Sequence, residues 1–137
     1  MSVFTPLSQN ELSTFLEPFG LGRLVSFEGI SAGTENSNFF VSCEHGEFVL
    51  TLIERGPVDD LPFFVSLLDC LHAADLPVPF AVPDQEGRKL HRLNDRPALL
   101  QPRLPGKHVK VPNARQCQEL GKVLAQLHAA TSRSDLT

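Results

Sequence analysis

The spacing of hydrophobic residues changes repeatedly along the chain, and each change predicts an element. Leu12, Phe15, Leu16 and Phe19 recur at three- and four-residue intervals, behind Ser8 and Glu11 at capping-box spacing, and Gly20 ends the run. This predicts a short amphipathic helix. Between residues 23 and 53 the pattern becomes strand-like: LVSFEGI, then SNFFVSC, then EFVLTLI, with the last two joined across Glu44, His45 and Gly46. Three antiparallel strands are expected there.

Asp59 and Asp60 are placed to cap a second helix whose first turn accepts Pro62, with Phe64, Leu68 and Leu71 on one face. The helix closes at Asp75 and LPVP. AVP, KLHRL and PALLQPRL are short strand segments, separated by turn residues at 84–87 and 94–96, and the sheet is expected to gain two strands from them. Asn113 with Gln116 caps a last helix that carries a stripe of Leu120, Leu124 and Leu127.

Composition narrows the class. At 137 residues, 42% hydrophobic and 20% charged, the chain has the size and balance of one globular unit. Cys43, Cys70 and Cys117 lie far apart without a C-x-x-C pair, as expected of reduced thiols, and the scattered histidines suggest no metal site. The net charge of −4, with Arg103, Lys107, Lys110 and Arg115 as the only cationic cluster, argues against a nucleic-acid partner. The start MSVFTPLSQNEL lacks the character of a signal peptide, and no stretch has the length of a membrane span, so the cytoplasm is the expected location.

The connection between the first two strands, GISAGTENSNFFV, carries the candidate chemistry. Glycines let backbone N–H groups approach phosphate oxygens, and small polar residues add donors. The stretch matches neither G-x-x-x-x-G-K-[ST] nor G-x-G-x-x-G, and by itself it reads as an ordinary turn.

Its surroundings change that reading. With EFVLTLIE, LPFFVSLLDCLHAADLPVP, PALLQPRLPGKHV and LGKVLAQLHAAT, the chain resembles the aminoglycoside phosphotransferase and choline kinase group, small-molecule relatives of the protein kinases. Within that group it is most similar to the homoserine kinases. The resemblance implies an α+β fold: a protein-kinase-like small lobe of about five antiparallel strands, with one packed helix, a short N-terminal helix and the first helix of the large lobe. Residues 1–104 would form the small lobe with a connector near 99–105, and residues 106–137 would begin a helical lobe whose remainder is absent. The activity implied is ATP-dependent phosphorylation of the L-homoserine hydroxyl, a step of threonine biosynthesis, with Mg2+ accompanying ATP.

The resemblance also assigns nucleotide-binding residues. Ser31, Ala32, Gly33 and Thr34, followed by Glu35, Asn36, Ser37 and Asn38, would cover the phosphates. Val49 and Thr51, two apart on one strand and so on one face, would point towards adenine and phosphate respectively. The backbone of Gln101, Pro102 and Arg103 would meet the adenine edge.

Two departures qualify this. Protein kinases carry a lysine on the third strand, paired with a glutamate on the next helix. Here those positions hold Thr51 and Phe63 or Phe64, leaving Arg55, Arg103 or Lys107 as substitute cations by sequence proximity, with Mg2+ bound by residues outside this chain as the equal alternative. No H-G-D-x-x-x-x-N follows LHAATSRSDL, so no catalytic residue or Mg2+ ligand is expected in this chain, which would be inactive alone. The Leu120, Leu124 and Leu127 face is then expected to drive dimerisation or aggregation. A non-catalytic kinase-like interaction module, or a related choline or aminoglycoside kinase, is the alternative.

Overall fold

In the computed structural model, residues 5–33 and 35–136 are described. Helix α1 (Gln9–Leu16) starts with the expected capping box: the Ser8 hydroxyl accepts from the Glu11 amide, and the Glu11 carboxylate accepts from the Ser8 amide at 2.7 Å. A 3-10 turn (Glu17–Phe19) extends it to Gly20, whose φ of 67° favours a residue without Cβ. Strands β1 (Leu24–Gly29), β2 (Ser37–Cys43) and β3 (Gly46–Leu52) follow, then α2 (Leu61–Ala73), β4 (His91–Leu93), β5 (Arg96–Pro102) and α3 (Ala114–Ser132).

The five strands form one antiparallel sheet in the order β1-β2-β3-β5-β4. Alternation along the strands gives the sheet two unlike faces. On one, Phe39, Val41, Phe48, Leu50, Leu52, Ala98 and Leu100 are buried against Leu12 and Leu16 of α1 and against Phe19. Burying each large side chain contributes roughly 1.5 to 3 kcal/mol, so α1 is fixed to the sheet by its apolar stripe. Among the described residues the other face is covered near β5, where Val65 of α2 and Ala81 pack on Leu99, and no helix of the described residues packs over it at β2 and β3.

Helix α2 differs from expectation in two ways. Asp60 sits at its N-cap without a side-chain bond, because its φ of −84° and ψ of −11° continue a 3-10 turn (Val58–Asp60) instead of the extended geometry that aims a capping carboxylate. The buried face is Leu61, Val65 and Leu71, whereas Phe64 is 49% exposed. LPFFVSLL is apolar nearly all round, so packing on Leu99 selects the inward stripe. AVP is not a strand; it meets the sheet through the bond from the Val82 amide to the Leu100 carbonyl, 2.7 Å, and through the packing of Ala81 on Leu99.

Helix α3 has the second predicted capping box, between Asn113 and Gln116. It has no buried residue, and Leu120 and Leu124 are 60% and 45% exposed.

Candidate functional site

The open face of β2 and β3 presents Asn38, Phe40 and Ser42 beside Thr51, Val49 and Glu47 in register. Gly33 and Asn36 of the connection between β1 and β2 lie at the Asn38–Thr51 end. The base of this loop is closed by the Ile30 amide, which donates to the Asn38 carbonyl at 2.8 Å. Thr51 Oγ1 donates to Asn38 Oδ1 at 2.8 Å, which leaves the Asn38 amide nitrogen turned towards the loop. That nitrogen reaches the Asn36 carbonyl at 3.5 Å.

Gly33 stands above it with φ of 123°, and a Cβ there would lie 3.6 Å from Asn38 Nδ2. Only glycine adopts this backbone angle readily. Ser31, Ala32 and Glu35 are exposed around it, and Thr34 lies outside the described residues.

The predicted residues do not all share one face. Asn38, Val49 and Thr51 do, but Ser37 is fully buried and points to the opposite, α1-packed side. Its hydroxyl donates to Glu54 Oε1 at 2.6 Å. Ser37 can therefore anchor the loop but cannot present that hydroxyl to a phosphate, a correction to its expected role. The physical reason is the two-residue period of β2, which turns Ser37 inward when Asn38 turns outward.

The far end of the open face has different chemistry. Arg103 places its guanidinium carbon 3.8 Å from the centre of the Phe40 ring, a cation–π arrangement. Both line a small cavity of about 220 Å3 with Ser26, Phe27, Glu28, Ser42 and Glu47. The Ser42 hydroxyl donates to Glu47 at 2.6 Å. The two carboxylates, Glu28 and Glu47, outnumber the one guanidinium here, whereas the Asn38–Thr51 end offers amide and hydroxyl groups. The open face is thus uneven in charge, with neutral polar groups at the Asn38 end and ionised side chains beside Phe40.

At the β5 edge, the register narrows which backbone groups are open. The Arg103 amide donates to the Glu47 carbonyl at 3.0 Å, and the Ile53 amide donates to the Pro97 carbonyl at 2.9 Å. Alternation along an antiparallel ladder then turns Leu99, Gln101 and Arg103 towards β3. Pro102 has no N–H, so of the three predicted connector residues it is the Pro102 carbonyl that faces away from the ladder.

Two of the three substitute cations have a defined place. Arg103 is opposite Glu47, four residues along the strand from Thr51, about 13 Å at strand rise. Arg55 lines a recess with Arg92, Asp95 and Arg96 beyond the end of β3. Neither stands at the Thr51 row. Phe63 and Phe64 pack edge to face, 5.7 Å apart, and are partly exposed. Among the described residues no cluster of three or more His, Cys, Asp or Glu could hold a metal ion. No helix among them is long and apolar enough to cross a membrane.

Sequence reasoning missed Glu54. Its side chain is 6% exposed and also accepts from Arg96 Nε at 3.0 Å. Burial pushes its carboxyl up, but hydrogen bonds from Ser37 and Thr5 and the charge of Arg96 outweigh this and hold it below the ordinary carboxylate range. A lone acid after an apolar strand carries no such signal in the sequence.

An antiparallel sheet with one helix-packed face and one loop-covered open face belongs to a known class. Residues 26–136 match the phosphotransferase enzyme family, and the chain is a member of it. The solved structure of spectinomycin phosphotransferase, in complex with ADP and spectinomycin, superposes with a TM-score of 0.68 over 92% of this chain and 39% of that one. At 19% identity this likeness establishes the fold, that of a protein-kinase-like small lobe.

In sequence the chain is 63% identical, over 96% of its length, to a homoserine kinase of Pseudomonas aeruginosa. It is 47% identical to a homoserine kinase of Rhodospirillum rubrum over 95% of its length. It spans 42% and 41% of those proteins.

Proposed function

We propose that this chain is the nucleotide-binding lobe of a homoserine kinase, which transfers a phosphoryl group from ATP to the hydroxyl of L-homoserine. The observation that carries the reading is the 63% identity to a homoserine kinase across nearly the whole chain. The open face supports it, because a glycine loop above paired Asn38 and Thr51 provides donors where phosphates need them.

In this reading the residues have separate tasks. The 31–36 loop and Asn38 hold the phosphates, and Val49 and Phe40 form the floor under the base. Residues 99–105 form the connector, where the Pro102 carbonyl meets the adenine edge, and residues 106–137 begin the second lobe. Mg2+ accompanies ATP and neutralises phosphate charge when bound; its ligands and the acceptor site belong to the rest of the protein. Phosphoryl transfer depends mainly on positioning and electrostatic stabilisation, so the contribution of this lobe is to orient ATP and exclude water.

The test is an acceptor panel on the protein encoded by the complete reading frame, with Mg-ATP and L-homoserine, choline or an aminoglycoside. Turnover with homoserine well above the others is expected. Preference for choline or an aminoglycoside would move the protein to a related kinase, and the absence of ATP binding would favour a non-catalytic module.

A further inference from the structure

The Glu54 carboxylate joins parts of the chain that are distant in sequence. Ser37 Oγ donates to it at 2.6 Å and Arg96 Nε at 3.0 Å, while the Glu54 amide donates to Asn36 Oδ1 at 3.3 Å. The Thr5 amide in turn donates to Ser37 Oγ at 3.1 Å. Thus the C-terminal root of the 31–36 loop, the end of β3, the start of β5 and the segment before α1 meet at one carboxyl group.

The arrangement sits on the α1 side of the sheet, where Ser37 points, and not on the open face. Glu54 therefore has no direct route to a ligand on Asn38 and Thr51. It does fix the two residues, Asn36 and Ser37, from which the loop departs. Asn36 is also the residue whose carbonyl the Asn38 amide approaches on the other side.

We propose that Glu54 is a positioning residue for the loop, a latch that sets its height above the Asn38–Thr51 pair and so tunes affinity for the polyphosphate of the nucleotide. The proposal rests on reading residues 31–38 as a nucleotide cover. A buried carboxylate that accepts from a hydroxyl and from a half-exposed Arg96 is suited to this, because removing the carboxylate charge or the Ser37 hydroxyl leaves the remaining buried polar group without its partner. The loop is also held by the backbone bond from Ile30 to Asn38 and by the long contact of the Asn38 amide with the Asn36 carbonyl.

The experiment uses the complete protein with Glu54→Gln and Ser37→Ala. Amide exchange in residues 31–37 is followed without nucleotide, and KM for ATP, KM for the acceptor and kcat are measured separately. Both substitutions should speed exchange in the loop and raise KM for ATP by about tenfold, with acceptor KM and kcat changed by less than about threefold. A general loss of stability would instead lower the unfolding midpoint without this split.

Unchanged loop exchange and unchanged KM for ATP in a folded variant overturn the latch. Should Glu54→Gln fail to fold, Ser37→Ala decides, because it removes only the hydroxyl. Faster exchange with unchanged KM for ATP overturns the link from loop to nucleotide. If the complete protein proves inactive on every acceptor, the exchange measurement still decides whether Glu54 holds the loop.

Discussion

Thr51 Oγ1 hydrogen-bonds Asn38 Oδ1 at 2.8 Å across paired strands, on the open face of the sheet. The bond orients Asn38 so that its NH2 faces the glycine loop. Thr51→Val should raise KM for ATP in the complete protein by about three- to tenfold, consistent with the loss of one hydrogen bond. Thr51→Lys should not improve it, since α2 offers Phe63 and Phe64 in place of an acid to hold the ammonium. Steady-state kinetics of both variants check this.

Gly33 and Gly20 both have positive φ, at 123° and 67°, but they serve different ends. Gly33→Ala strains an exposed loop that can relax locally, and it should raise KM for ATP by more than its effect on the unfolding midpoint accounts for. Gly20→Ala forces a left-handed angle at the junction of α1 with the sheet and should destabilise by about 1 to 2 kcal/mol. The Gln85 amide, 2.6 Å from the added Cβ, is a flexible end and can swing away. Urea titrations of the two variants distinguish binding from folding effects.

Much of the fold is legible in the sequence because its signals are local. The capping boxes at Ser8 and Asn113, the alternation of SNFFVSC and EFVLTLI, and the turn before β5 each need only a few neighbouring residues. What was not legible depends on distant partners. Phe39 and Phe40 are both aromatic, so which of them faces the core is settled by pairing with β3, and that pairing also sends Ser37 inward. The inward stripe of α2 needs Leu99, and the importance of Glu54 needs Ser37 and Arg96, 17 and 42 residues away. In the candidate site, the side of β3 was readable from its period, whereas the connector groups required the register of β5.

Asp84 should make the fold acid-sensitive. Its buried carboxylate accepts from the Glu86 amide, the Arg88 amide and Arg88 Nε, all near 2.9 to 3.0 Å. Burial raises its pKa, but the bonds and charge of Arg88 and the bond from Glu86 prevail and hold it below the ordinary value of 3.8. A carboxyl with a depressed folded pKa stabilises fully above its ordinary value and loses that stabilisation as pH falls through the folded one. Unfolding midpoints between pH 7 and pH 2 should therefore fall more steeply for the native sequence than for Asp84→Asn.

The 137-residue chain, expressed alone, should self-associate through α3. Leu120 and Leu124 are largely exposed, and burying each contributes roughly 1.5 to 3 kcal/mol. Replacing both by Glu should give a monomer in sedimentation where the unmodified chain gives dimers or larger species. Monomer in both cases would contradict this.

The central claim is that the open face of β2 and β3, under the 31–36 loop, receives ATP. Hydrogen exchange of the complete protein with and without saturating Mg-ATP tests it most directly. Protection is predicted in residues 31–38, with none gained over α1 on the opposite face. Protection that leaves residues 31–38 unchanged while ATP is demonstrably bound would contradict the account.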